Sequence, residues 1–192
     1  MRIFQKHLTI LAFALFVGLL GCQQEGLEPM QPYVGEFDQS IMKWIRGVPE
    51  FDMLEQALDL TALADTLESG QFTVFAPGNV SFRFYLADNK YASLKDVPVI
   101  TLRNILLYNI LKGKFLREDF TTQTLAYPTL QGKALQINYS DILPNGRYYF
   151  MKVNGRLVAT QNIKLKNGVV HTYGITGMER EGRKVDVLLL TP

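Results

Sequence analysis

This chain of 192 residues has few of the residues and motifs on which common sites depend. Its one cysteine, Cys22, has no partner for an internal disulfide. No Gly-x-Ser-x-Gly sequence is present, which argues against the nucleophile elbow of an α/β-hydrolase. No glycine-rich run precedes a Lys-Ser or Lys-Thr pair, which excludes a phosphate-cradling loop. Internal repeats and long charge runs are also lacking, so the length predicts one globular domain with processed or flexible ends.

Residues 1–21 are typical of a lipoprotein signal peptide. A positively charged start contains Arg2, Lys6 and His7. The apolar run that follows, from Leu8 to Gly21, is too short for a comfortable membrane span of about 20 residues. It ends in Leu-Leu-Gly-Cys, which resembles a bacterial lipobox, although Leu20 is bulkier than the usual residue there. We therefore expect cleavage before Cys22 and lipidation of that cysteine.

Removal of the signal peptide changes what the composition implies. Without Arg2 and Lys6, the 20 basic residues become 18 against 18 acidic ones, and the net charge of +2 falls to zero. Nucleic-acid binding, which needs a basic face, loses its main support. His171 becomes the only histidine, which excludes sites that need two histidines and, with Cys22 lipidated, Cys/His zinc clusters. We expect no metal and no cofactor.

Beyond Cys22, the pattern changes from irregular to helical. Residues 22–37 have no apolar periodicity and are typical of a flexible tether. From residue 38, apolar residues recur at three- and four-residue steps in three segments. These segments are Ile41–Ile45, Phe51–Leu67 and Ile100–Ile110. We expect Gly113 to end the last helix, and Asn79 to cap a short helix after a strand at Phe72–Ala76.

Alternating apolar residues dominate the second half. Five segments show this pattern: ALQINY, RYYFMKV, RLVATQ, VVHTY and KVDVLLL. Asn154-Gly155 is a strong signal for a two-residue hairpin, and Asn167-Gly168 marks a second turn. Helices followed by strands predict an α+β fold with an antiparallel sheet rather than alternating βαβ units.

The order of these segments resembles a fasciclin domain. FTVFAPGNVSF is similar to the family's first signature, and LRNILLYNILKGKF to its central helix and exit. VNGRLVATQNI and KNGVVH are similar to the hairpin elements that lead into the second signature. The resemblance covers about residues 51–179. It implies one domain over residues 38–192, with N-terminal helices packed on an antiparallel β-sheet wedge or sandwich.

The resemblance assigns structural roles to the signature residues. They are Thr73, Phe75, Ala76, Pro77, Asn79, Phe82, Tyr108, Gly168 and His171. In the family's fold Phe75 and Phe82 would pack beneath the sheet. Family members often carry Tyr-His in the central helix, linked in some animal members to integrin adhesion. Here the pair is Tyr108-Asn109, so integrin binding is not carried over, and Gly174 is a second departure.

Catalysis would need a nucleophile next to a base. The sharpest such hypothesis is Ser81 or Ser93 activated by His171. His171 lies in an alternating apolar stretch, which is more typical of a core histidine bonded to a backbone carbonyl or to Tyr108. The adjacent acids Glu118 and Asp119 are typical of a solvated loop. We therefore expect no enzyme activity.

Binding remains as the expected activity. Aromatic and basic residues gather in the stranded half, and the candidate surface is Arg147, Tyr148, Tyr149, Phe150 and Arg156. Exposed aromatics beside arginine suit a protein partner or a sugar ring. The alternative for the whole cluster, which also includes Tyr139 and Tyr173, is core and cross-strand packing.

The sequence and the resemblance together predict a non-enzymatic adhesion module that is lipid-anchored in a Gram-negative envelope of the Bacteroidetes type. It would sit at the outer membrane, facing the periplasm or the exterior, and bind a protein or matrix partner. The alternative is an accessory glycan-binding lipoprotein of a polysaccharide-uptake complex. The oligomeric state is open.

Overall fold

The computed structural model describes residues 35–140, 150–173 and 191–192. All of them belong to one compact unit that spans residues 33–192. Its helices are α1 (Ile41–Arg46), α2 (Asp52–Leu60), α3 (Ala64–Ser69), α4 (Asn79–Asp88) and α5 (Val99–Tyr108). Its strands are β1 (Gly35–Phe37), β2 (Phe72–Ala76), β3 (Ile110–Lys112), β4 (Leu125–Pro128), β5 (Ala134–Ser140), β6 (Phe150–Val153), β7 (Arg156–Leu165) and β8 (Gly168–Tyr173). Within these ranges, no helix has the length and apolar character needed to cross a membrane.

The first helices follow the predicted pattern with one break. Ser40 caps α1, because its hydroxyl accepts a hydrogen bond from Lys43 N at 3.1 Å. The predicted second helix divides into α2 and α3. The division falls at Ala62, whose φ of 52° is incompatible with a continuing right-handed helix.

Two predictions about helix ends are wrong. Asn79 does not cap α4, whose N-cap is Gly78. The Asn79 side chain instead accepts from Met53 N at 2.8 Å and donates to the Pro49 carbonyl at 2.9 Å, so it holds the start of α2. Helix α5 ends at Tyr108, well before Gly113.

The early end of α5 has a local cause. The Asn109 side chain donates to the Ile105 carbonyl at 2.8 Å, which is the carbonyl that the Asn109 backbone would use in a continuing helix. The chain then enters β3. Ile100, expected on the buried face of this helix, is 65% exposed.

The strands form one sheet in the order β3-β2-β8-β7-β6-β5-β4, with β1 beside β7. The predicted α+β class is confirmed, and most pairs are antiparallel, but β2 pairs with β8 and β1 with β7 in parallel. The predicted tether was too long, because its last three residues, Gly35–Phe37, form β1. The Asn154-Gly155 hairpin is confirmed between β6 and β7, with φ of 50° and 78°.

The two edges of the sheet approach each other at one corner. Leu111 of β3 forms a bridge with Thr129, just after β4, and Leu130 N donates to the Ile110 carbonyl at 2.9 Å. Irregular pairing with β8 between Val158 and Ile163 bends β7. The sheet is therefore mixed and nearly barrel-like.

Strand β2 separates two hydrophobic clusters. Phe72, Val74 and Ala76 pack in the cluster between the helices and the sheet. Phe75 points the other way, into the cluster that β5, β6 and β8 enclose. Every residue of β2 is buried. The strand therefore crosses the centre of the core, which is why it carries apolar residues on both faces.

Candidate functional site

His171 is fully buried on β8, between the sheet and the segment that follows β3. Its Nε2 lies 3.0 Å from the Phe115 carbonyl oxygen, to which it donates, and its Nδ1 accepts from Asn162 N at 3.3 Å. The ring stacks on Phe75 with centroids 5.4 Å apart. Both ring nitrogens are therefore engaged by the backbone, and this arrangement fixes one neutral tautomer.

Burial lowers the pKa of His171 from its ordinary 6.5 to about 4, although the Phe115 carbonyl and the nearby Glu118 charge act in the opposite direction. No hydrogen bond in the described part of the chain joins it to a serine. Ser93 instead bonds Asp96 at 2.9 Å in a capping box, and Ser81 lies on α4. The serine–histidine pairing considered from the sequence is therefore not assembled.

Asn162 connects His171 to the surface. It adopts a φ of 60° at the bend of β7. Its side chain accepts from Arg117 N at 2.7 Å and donates to Glu118 Oε2 at 2.8 Å. This hydrogen bond is the main reason that the pKa of Glu118 is lowered. Glu118 therefore helps to fix its loop, and a carboxyl group whose pKa is lowered is a poor candidate for acid catalysis.

Most remaining signature residues hold elements together. Thr73 Oγ1 donates to the Gly113 carbonyl at 2.8 Å and accepts from Phe115 N at 2.7 Å. The Tyr108 hydroxyl accepts from Asn154 Nδ2 at 3.0 Å, and Tyr108 lies in the core cluster with Phe75. Phe82 is fully buried under the helices, and Pro77 follows directly after β2.

Gly168 permits the close approach of α1 to the sheet. A Cβ at this position would overlap the Phe72 carbonyl oxygen and the Ile41 side chain. Asn167, the residue before it, accepts from Ile41 N at 2.9 Å and donates to the Leu67 carbonyl at 2.5 Å. The Asn-Gly turn thus fastens two helices to β8.

The predicted binding surface lies mostly outside the described residues. Arg147, Tyr148, Tyr149 and the side chain of Phe150 lie outside them. Gly174 and the predicted strand KVDVLLL also lie outside the described residues. Arg156 is half-buried at the start of β7. Of the neighbouring tyrosines, Tyr173 is buried and Tyr139 packs partly against the same core cluster.

A groove that the sequence analysis missed lies between α4 and α5. It has a volume of about 570 Å³. Its lining comprises Ser81, Phe84, Tyr85, Asp88, Asn89, Thr101, Asn104, Ile105, Thr191 and Pro192. Phe84 is 52% exposed, which is unusual for an aromatic side chain. The only sequence signal for this groove is the three- and four-residue spacing of these residues along each helix.

A second depression, of about 660 Å³, runs along α2 and includes Glu55 and Asp59. Arg46 pairs with both carboxylates, at 3.3 and 3.4 Å, so these acids already have a partner in the fold. Among the described residues, no group of three or more histidine, cysteine or acidic side chains is placed to hold a metal ion.

The helical layer, the nearly closed mixed sheet and the doubly buried strand together define an α+β domain of the FAS1 type. A solved FAS1 domain pair from the insect cell adhesion molecule Fasciclin I aligns with this fold at a TM-score of 0.57 and 17% identity. The alignment covers 70% of this chain and 49% of that one, so this chain spans about half the length of the pair.

Sequence comparison leads to the same assignment. The model of the fasciclin domain family matches residues 49–173, and the chain belongs to this family. Protein sll1483 of Synechocystis sp. (strain ATCC 27184 / PCC 6803 / Kazusa) is 29% identical over 133 residues, which are 69% of each chain. Fasciclin domains take part in cell adhesion and protein interaction, and are generally non-enzymatic.

Proposed function

We propose that this protein is a non-enzymatic interaction module of the cell envelope, held there by a lipid on Cys22, and that its fasciclin domain binds a protein or matrix partner. The main support for this proposal is the fasciclin fold itself. In this fold, His171 is buried and both of its ring nitrogens are hydrogen-bonded, and it is the one histidine outside the predicted signal peptide. A general base needs a free nitrogen within reach of a substrate proton, and His171 has none.

The anchor rests on residues that lie outside the described part of the chain. Gly21-Cys22 ends an apolar run that resembles a lipoprotein signal, and Glu25 follows three residues after the cysteine. These features support an outer-membrane lipoprotein of a Gram-negative bacterium of the Bacteroidetes type, exported towards the surface. The acyl chains would be the only contact with the membrane.

Metabolic labelling with an alkyne fatty acid tests the anchor. The wild-type chain should incorporate the label and remain in the membrane fraction, whereas Cys22→Ala should do neither. Protease added to intact cells then tests the orientation, because an outward-facing domain is digested without lysis. Equal labelling of the two forms would exclude lipidation of Cys22.

Cross-linking in native membranes followed by a pull-down tests the partner, with Cys22→Ala as the unanchored control. Recovery of surface or matrix proteins that depends on the anchor supports the adhesion proposal. If the wild-type chain recovers the same proteins as the control, no specific partner is engaged at the membrane.

A second candidate function is glycan binding as an accessory lipoprotein of a polysaccharide-uptake complex. The groove between α4 and α5 favours it, since the lining combines aromatic rings with amide, hydroxyl and carboxylate groups. The same pull-down distinguishes the candidates. Co-purification with an outer-membrane transporter and its glycan-binding lipoprotein would support uptake over adhesion.

A further inference from the structure

Two helical stripes, together with Thr191 and Pro192, line the groove between α4 and α5. On α4 the stripe runs through Ser81, Phe84, Tyr85 and Asp88, at steps of three and four residues. On α5 it runs through Thr101, Asn104 and Ile105. Residues at such steps share one face of a helix. The walls therefore alternate aromatic or aliphatic surface with polar groups along their length.

The floor of the groove is closed and its rim is aromatic. Ser81 and Ile105 are 4% and 3% exposed, so they form the bottom. Tyr85 is partly buried and stacks with Tyr91 at a centroid distance of 6.4 Å, which restricts its ring. Phe84 stands at the rim with half of its surface in solvent. The volume of about 570 Å³ falls within the range of about 300–1,000 Å³ usual for small-ligand sites.

Four of the polar side chains in the groove are not used by the fold, whereas the side chain of Asn89 donates to the Tyr85 carbonyl at 2.8 Å. Within the described ranges, Ser81, Asp88, Thr101 and Asn104 make no side-chain hydrogen bond or ion pair. The asparagines at structural turns behave differently. Asn79, Asn154, Asn162 and Asn167 each bond the backbone of another element. The groove thus concentrates donors and acceptors that are available to a ligand.

The chemistry of the lining selects a class of ligand. Asp88 is the only charged side chain in the lining, and a carboxylate repels phosphate, sulfate and uronate groups. Aromatic faces bind the C–H faces of sugar rings, and amide, hydroxyl and carboxylate groups match vicinal sugar hydroxyls. A flat hydrophobic peptide surface would leave four polar side chains unpaired, which costs affinity.

We propose that the groove between α4 and α5 is a binding site for a neutral pyranose unit of a glycan. The ring packs on Phe84 at the rim. Asp88 and Asn104, on opposite walls, bond hydroxyl groups at its edge, and Thr101 supplies a further hydroxyl. The site is separate from the strand surface predicted from the sequence.

The inference rests on the candidate function of glycan binding and assigns that binding to a site. It does not depend on a role in polysaccharide uptake or on the lipid at Cys22. A matrix glycan could occupy the groove while the protein acts in adhesion. Failure of the uptake proposal in the pull-down would therefore leave the site intact. Absence of sugar binding to the isolated protein would remove the site whatever the partner.

Isothermal titration calorimetry of the full chain tests the site. The protein is held in a polyoxyethylene detergent, because sugar-headed detergents would compete. The neutral probes are maltohexaose, cellohexaose, xylohexaose and mannohexaose, and the anionic control is the hexasaccharide of galacturonate. We expect at least one neutral probe to bind with a dissociation constant in the millimolar range or below, and the galacturonate not to bind.

Variants locate the binding. Phe84→Ala and Asn104→Ala should each weaken it about three- to tenfold, in keeping with the loss of one ring contact or one hydrogen bond. Phe84→Trp should bind as the wild type does, and Phe84→Leu should be weakened as Phe84→Ala is, because stacking needs an aromatic face. Leu157→Ala is the matched control, since Leu157 is 53% exposed on β7, away from the groove.

Three outcomes would overturn the proposal. They are no heat from any neutral probe, equal loss in Leu157→Ala, and equal binding by Phe84→Leu and Phe84→Trp. Thermal unfolding of each variant confirms that the exposed substitutions leave the fold intact.

Discussion

Acidification should destabilise this domain through His171. Its pKa is about 4 in the folded protein against an ordinary 6.5, because the buried ring is kept from water. The unfolded chain therefore binds a proton more readily than the folded chain between these two values. The free energy of unfolding must fall as the pH drops from about 6.5 to 4, and this contribution is constant above about 7.

The expected loss follows from the difference in pKa. Each unit of pKa difference corresponds to about 1.4 kcal/mol, so about 3 kcal/mol should disappear over this range. Urea unfolding at a series of pH values measures it. Trp44, the single tryptophan, is 3% exposed in the core and reports unfolding by fluorescence. Comparison with His171→Gln isolates the histidine, because every other titrating group is present in both proteins.

The variant should lose stability at pH 7 and show a shallower pH dependence between 4 and 6.5. If His171→Gln does not fold, the pKa can be measured in the wild type from the imidazole proton shift by NMR. A His171 pKa near 6.5 in the folded protein would refute the reasoning. An identical pH slope in the two proteins would do so equally.

Two further predictions concern two glycines in different surroundings and the side chain of Asn162. Gly168→Ala should destabilise the fold by about 3 kcal/mol, since the new Cβ meets the Phe72 carbonyl oxygen. Gly155→Ala should cost only about 1 kcal/mol, because Gly155 has open space around it and only its φ of 78° is unfavourable for alanine. Equal losses of stability in thermal unfolding would contradict this order. Asn162→Gly keeps the φ of 60° accessible but removes the amide that bonds Glu118. The pKa of Glu118, followed by NMR, should then rise towards 4.5, and an unchanged value would show that Asn162 is not its main cause.

Much of the fold could be predicted because local rules and tertiary packing agree. Strand β2 carries apolar residues on both faces, and the structure buries both faces. The φ values of Asn154 and Gly155 suit a two-residue turn, and the turn forms. Predictions were wrong where a side chain had two possible partners. Asn79 is a good helix cap by type, but the distant backbone of Met53 and Pro49 takes its amide. Long-range contacts of this kind leave no trace in spacing.

The groove between α4 and α5 was missed for a related reason. Its two stripes carry Phe84 and Asn104 at positions that a periodicity argument treats as boundary residues, because neither belongs to the buried face of its own helix. Only the approach of one helix to the other turns these two partial stripes into facing walls. The same argument explains why a binding surface was predicted from aromatic residues on strands. Successive side chains of a strand point to opposite faces, so one of two adjacent aromatic residues is expected to be exposed. The groove depends on which helix faces the core leaves uncovered, and this is set by the packing of α4 and α5 against α2 rather than by either helix alone.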